Sequence, residues 1–236
     1  GTGAAIVEAD IAVKDGKIAA VGKVSGQGAE EIDAKGLLVT PGFVDIHTHY
    51  DGQVTWADRL IPSSSHGVTT VVMGNCGVGF APSRPDQHEM LIGLMEGVED
   101  IPHPVLVDGL PWTWETFPQY LDFLATRRYD MDICAYVPHA PVRVYVMGQR
   151  GANREPATEQ DRRRMAELTA EGLRAGALGF STSRTLNHRS ADGKHIPTLR
   201  AEEAELTAIA RAMRQAVAID ARKADSVPST KGILGG

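Results

Sequence analysis

Cysteine is scarce: Cys76 and Cys134 are the only two in 236 residues. Two thiols cannot build a disulfide framework, and they suit a reducing compartment. Also lacking is any block of Lys or Arg, and the formal net charge is −6, so no nucleic-acid partner is expected. No apolar run approaches the roughly 18 residues of a membrane span, and no basic-then-apolar leader opens the chain. A cytoplasmic protein without a membrane partner is expected. What the chain does have is 42% hydrophobic and 23% charged residues, which excludes collagen-like and disordered classes. Its length fits one large domain or a domain with a small appendage.

The first forty residues read as β structure. Ile11 and Val13 precede Asp15-Gly16, and Ile18 and Val21 follow it. Asp-Gly between alternating runs predicts a hairpin, because both turn positions tolerate φ > 0. A third run, Gly36 to Thr40, is expected as another strand. Three strands without a helix close no core, so this portion (1–40) must lean on something else.

From Pro41 the pattern becomes strand, loop, helix. Strands are expected at Phe43 to His49, Thr69 to Gly74, Met131 to Val137 and Ala177 to Ser181. Helical stripes are expected at Gln87 to Val98, Phe117 to Arg127, Glu159 to Arg174 and Ala201 to Val217. The third is opened by the capping pair Thr158 and Asp161 and closed by Gly176. Four strand–helix units over 41–217 predict an α/β fold with a parallel sheet, either open and doubly wound or closed as a barrel. A full barrel needs eight such units. Residues 218–236 show no periodicity and are expected to form an irregular tail.

The segment Thr40 to Asp51 (TPGFVDIHTHYD) carries the strongest chemical signal. Strand periodicity puts Phe43, Asp45, His47 and His49 on one face, and Val44 and Ile46 on the other, toward a helix layer. Two imidazoles at a strand's C-terminal end can ligate one metal, with Asp45 as an orienting partner. In the next segment (TTVVMGNCGVG, Thr69 to Gly79), Cys76 lies just beyond a strand end, in a glycine-rich loop expected to be flexible. Beside two candidate histidine ligands, a thiolate there is plausible for zinc. A phosphate-binding loop is disfavoured because Phe80 to Pro85 stands where its helix should begin.

Together PGFVDIHTH, GNCG and GALGFST (Gly176 to Thr182), with Asp10 to Gly22, resemble the N-acyl-D-amino-acid deacylase (D-aminoacylase) family of the metal-dependent amidohydrolase superfamily. The resemblance implies the first half of a (β/α)8 TIM-type barrel, preceded by strands of a small β-sandwich. It implies zinc held by His47, His49 and Cys76, and a small-molecule N-acyl-D-amino acid hydrolysed to a carboxylate and a D-amino acid. It places further histidine ligands and the acid/base aspartate on later strands, so no catalytic residue is expected in this chain, which is read as an N-terminal fragment. Half a barrel leaves strand edges open, and self-association is expected there. At the catalytic face of such a barrel, Asp51, His139, Arg184 and Arg189 are candidate substrate-binding residues, either arginine being able to pair with a carboxylate. His139 is otherwise a loop or capping residue. Two other readings remain: a cyclic amidohydrolase of the dihydropyrimidinase or hydantoinase type, and a metal-binding half-barrel without turnover.

Overall fold

The structure is a computed structural model that describes residues 3–224, with side chains as far as Val217. It divides after Gly42 into two compact units. In the first unit, strands β1 (Asp10–Lys14) and β2 (Lys17–Gly22) form the antiparallel hairpin expected around Asp15-Gly16. Asp15 and Gly16 both adopt positive φ, 51° and 69°, as a tight two-residue turn requires. The run Gly36 to Thr40 is not a strand. A turn forms instead, in which Leu37 N–H donates to the Ala34 carbonyl, 2.9 Å, and among the described residues no neighbouring strand pairs with it. An apolar run becomes a strand only when a partner accepts its backbone hydrogen bonds.

The second unit is built on four parallel strands in chain order: β3 (Phe43–Asp45), β4 (Val68–Met73), β5 (Asp132–Pro138) and β6 (Gly179–Ser181). Helices intervene: α1 (Ile61–Ser64), α2 (His88–Glu99), α3 (His103–Gly109), α4 (Phe117–Ala125), α5 (His139–Met147), α6 (Gln149–Ala152), α7 (Glu159–Ala175) and, after β6, α8 (Glu203–Ala224). Strand, helix and adjacent parallel strand in unbroken chain order is the construction of half a barrel.

Helix α7 shows how the local sequence sets an element. Thr158 Oγ1 accepts the Asp161 N–H at 3.2 Å, and Asp161 Oδ2 accepts the Thr158 N–H at 2.8 Å, closing a reciprocal cap. Met165, Ala166, Leu168, Thr169 and Gly172 then form one buried stripe that packs on α4, α5 and α8. Fully burying a side chain such as Met165 contributes about 1.5–3 kcal/mol.

Four expectations need correction. Strand β3 stops at Asp45, because the Asp45 carboxylate takes the His47 N–H at 3.1 Å where a ladder bond would continue. Val44 and Ile46 are 57% and 68% exposed rather than packed under helices, because no described helix covers that face of β3. Val137 and Pro138 close β5, and His139, expected alternatively as a loop or capping residue, is the first residue of helix α5; Pro141 in that first turn sacrifices no intrahelical hydrogen bond. Finally, α8 runs on to Ala224, so 218–224 are helical rather than an irregular tail, and the remainder of that expected tail lies outside the described residues.

Candidate metal centre

The loop after β4 is a tightly determined turn, not a flexible one. Gly74, Cys76 and Gly77 all have positive φ (77°, 52° and 71°). A Cβ on Gly74 would stand 2.4 Å from the Tyr136 carbonyl oxygen, and one on Gly77 would stand 3.0 Å from the Thr182 Cα. The loop is pinned from both sides. Gly77 N–H donates to Ser181 Oγ at 3.0 Å, and the same hydroxyl donates to the Gly74 carbonyl. Buried Asn75 extends its amide to the carbonyls of Val72 (2.9 Å), Thr48 (3.3 Å) and Ile46 (3.4 Å). Thr48 adds its own N–H and hydroxyl to the Val72 carbonyl, at 3.0 and 2.8 Å. The chain beyond β3 is thus stitched to β4 and to the loop after it by two side chains and one main-chain bond. Gly74→Ala should cost about 2 kcal/mol or more through the left-handed backbone and the carbonyl clash, read as a lowered urea midpoint.

This stitching brings three side chains together. His47 Nε2 stands 3.3 Å from Cys76 Sγ, the His47 and His49 ring centroids are 5.5 Å apart, and one donor atom from each of the three residues lies within 4.8 Å of the others. His47 is exposed, while His49 and Cys76 are partly buried. Donors around a tetrahedral zinc stand roughly 3.3–3.7 Å apart, a range the His47–Cys76 approach meets, with the third donor within 4.8 Å. His49 Nδ1 is buried with no hydrogen-bond partner, a ring nitrogen still wanting a neighbour. Two imidazoles, one thiol and an orphaned nitrogen make a donor set that fits zinc.

The electrostatics favour ligation over nucleophilic attack. Burial, followed by the charge of His47 and His188, lowers His49 to about 4, so at neutral pH its ring is uncharged and keeps a lone pair. Burial pushes the Cys76 thiol up, and the nearby Glu99 and Asp51 carboxylates push it further. An activated cysteine nucleophile needs the opposite shift. A thiol held protonated becomes a thiolate when a cation displaces its proton.

Asp51 is buried, its Oδ2 lacks a partner, and burial raises it to about 7 against the opposing Gly74 N–H bond. Its carbonyl accepts the Tyr120 hydroxyl at 2.8 Å. His139, fully buried in the first turn of α5, has both ring nitrogens engaged: Nε2 with Glu205 Oε1 and Nδ1 with Thr182 Oγ1, each at 2.8 Å. Glu205 also pairs with Arg143, which is likewise buried. Arg184 donates to the Ala201 carbonyl at 3.2 Å and Arg189 to the Gly193 carbonyl at 2.9 Å.

Two residues beside the trio carry no signal in the sequence. Glu99 ends α2, and its Oε1 lies 3.2 Å from His49 Nε2; burial, then Asp100, raises it to about 7. His188, bonded through Nδ1 to Ser183 Oγ at 3.0 Å, is held below the usual histidine range by burial and then by His47. Neither belongs to a short motif, so only the folded chain shows them.

The amidohydrolase family model matches residues 30–218. N-acyl-D-aspartate deacylase of Alcaligenes xylosoxydans xylosoxydans is 37% identical over 185 residues, covering 77% of this chain and 34% of that protein. A shorter match, 62% identical over 68 residues, covers 27% of this chain and 15% of an allantoinase of Escherichia coli. Among solved structures, D-aminoacylase matches with a TM-score of 0.71 at 30% identity, over 92% of this chain and 41% of that one. N-acyl-D-glutamate deacylase of Bordetella bronchiseptica, solved with zinc and a phosphonate inhibitor, matches with 0.70 at 30% identity, over 91% and 40%. The chain spans about a third of the length of the curated deacylases it matches. With the family model covering most of its residues and the same half-barrel recurring in these deacylases, the chain belongs to the amidohydrolase family.

Proposed function

We propose that this chain carries the His47–His49–Cys76 part of a zinc site in a hydrolase of N-acyl-D-amino acids. The single observation that carries the reading is the approach of His47 Nε2 to Cys76 Sγ at 3.3 Å, across two strand ends. Zinc held there supplies a Lewis acid for the scissile amide carbonyl and acidifies water at neutral pH. The protein's own part is positioning. Asn75 and Thr48 lock the two ligand-bearing segments together, Ser181 fixes the loop that presents Cys76, and burial keeps His49 neutral. The D-amino-acid substrate class is supported by the deacylase relatives, whose matches run over most of this chain. The allantoinase match, confined to a quarter of it, gives less support to ring amides.

The first unit is assigned to the small β-sandwich portion. Free Cys76 and Cys134 support a cytoplasmic setting, and no described helix is long and apolar enough to cross a membrane. Exposed Phe43, Val44 and Ile46 on β3 and just beyond it support self-association along that edge. Asp51, beside the trio, is the best placed of the proposed substrate-binding residues. Arg184 and Arg189 are retained as carriers of a substrate carboxylate; His139, fully buried with both ring nitrogens engaged, is not retained as a substrate contact and instead supports the loop after β6.

The test combines zinc titration with assays on N-acyl-D-amino acids, their L enantiomers and ring amides. Zinc binding that depends on Cys76, with release of the D-amino acid in preference to the L form, is the expected result. Ring-amide opening instead would select a cyclic amidohydrolase, and zinc binding without turnover would reduce the reading to metal binding. A protein that takes up no zinc would end it.

A further inference from the structure

The segment after β6 runs from the turn of Cys76 to the helix that reaches His49. At its start, a Cβ on Gly77 would lie 3.0 Å from the Thr182 Cα and 3.3 Å from the Ser183 nitrogen. Further on it docks on α2: the Ala191 N–H donates to the Gly93 carbonyl at 2.8 Å, and a Cβ on Gly97 would stand 2.3 Å from the Ser190 carbonyl carbon. Gly97 is followed two residues later by Glu99, whose Oε1 lies 3.2 Å from the His49 ring. His188 sits between these two anchor points. Ser183 Oγ holds its Nδ1, and its charge acts on His49 as that of His47 acts on it. The arginines of the same segment are exposed and donate to its own carbonyls. His188 is partly buried, and its Nε2 bonds nothing among the described residues and is not enclosed.

We propose that His188 is a substrate-contacting residue that hydrogen-bonds the scissile amide of an N-acyl amino acid, and that Gly97 is the positioning residue that seats its segment on α2. The inference rests on the zinc-site reading. A cation held by the trio takes the amide carbonyl, so the amide is the polar part of the substrate nearest to His47, His49 and the ring beside them. A neutral imidazole can donate to that carbonyl or accept the amide N–H. Because Ser183 already orients the ring, little freedom is lost when the substrate arrives. At Gly97 any side chain would meet backbone, so the segment lies this close to α2 only over glycine.

The experiment adds N-acetyl-D-aspartate, or D-aspartate as the control without the amide, to the zinc-loaded, histidine-¹⁵N-labelled protein. The His188 ring resonances are expected to move with the N-acetyl compound and not with the control. His188→Ala should weaken binding of the N-acetyl compound (or raise its KM, where it is hydrolysed) by about 5- to 10-fold. Zinc affinity by calorimetry should stay the same, because His188 lies outside the three-donor cluster. Gly97→Ala should displace the His188 resonances and reproduce the loss, whereas Gly93→Ala, whose Cβ would meet nothing within 4 Å, should not. Circular dichroism verifies that the variants fold. Unmoved His188 resonances, unchanged affinity for the N-acetyl compound in His188→Ala, or weakened zinc binding in that variant overturns the inference while leaving the zinc site standing. A Gly97→Ala protein with His188 undisturbed removes the positioning role. Failure of the unsubstituted protein to bind zinc overturns the site and this inference together.

Discussion

Cys76→Ser is expected to weaken zinc binding by more than about 100-fold, or by about 3 kcal/mol, while leaving the far-ultraviolet circular dichroism unchanged. The trio offers two imidazoles and one thiol, so the thiolate is the only anion it can present. Serine is nearly the same size but does not ionise in reach of neutral pH, and the two imidazoles alone hold zinc weakly. Structural damage should be slight. The unusual backbone at Cys76 is maintained by Asn75 amide bonds and by Ser181, none of which uses the thiol. Cys134→Ser is the internal control, since Cys134 lies on β5 outside the cluster. Calorimetric zinc titration of the two variants decides the matter. Equal affinities would remove Cys76 from the site.

The largest stability effect is expected from Glu205→Ala, at about 3–5 kcal/mol by urea denaturation. Glu205 is 1% exposed and pairs with Arg143 and His139, both fully buried. Removing the carboxylate strands a guanidinium in the interior, and the whole net stability of a domain is only about 5–15 kcal/mol. Replacing Arg143 by Met and Glu205 by Leu together should cost less than the sum of the single changes, because no unpaired charge then remains. The triad also ties α5, α8 and the Thr182 loop together, and Ser181 beside that loop fixes the turn of Cys76. Loosening should therefore reach the zinc site as a smaller, secondary loss of affinity.

The same triad sets a pH dependence. Burial raises Glu205, but hydrogen bonds and charge from His139 and Arg143 outweigh it and hold the carboxyl below its ordinary 4.5. Burial lowers His139 below its ordinary 6.5, against the pull of Glu205. Both groups therefore bind protons more weakly folded than unfolded. Their contribution is complete above about pH 6.5 and falls with pH, first as unfolded His139 takes up a proton, then below about 4.5 as unfolded Glu205 does. The gap in urea midpoint between the unsubstituted protein and Glu205→Ala should narrow as pH falls below about 4.5.

Much of this protein was legible one segment at a time. Asp15-Gly16 specifies its hairpin because few residue pairs accept two positive φ values. Thr158 and Asp161 mark the start of α7, and its apolar spacing marks the buried face. His47, His49 and Cys76 stood out because donor residues at strand ends leave a local trace. The four parallel strands followed from alternating periodicities. Where reading failed, the deciding partner lay elsewhere in the chain. Gly36 to Thr40 found no strand to pair with, Val44 and Ile46 met no covering helix, and the prolines around His139 disguised a helix start.

What the sequence determined by itself was the hairpin, the four parallel strands, the longer helices and the three donor residues, since turn chemistry, capping and periodicity act within a few residues. Tertiary structure decided which polar groups meet. Asn75 reaching three carbonyls, Glu99 facing His49, and Glu205 enclosed with Arg143 and His139 all arise from strand order and helix packing. The physical reason is that a buried polar group must find its partner wherever the fold places one, and chain distance carries no information about that place.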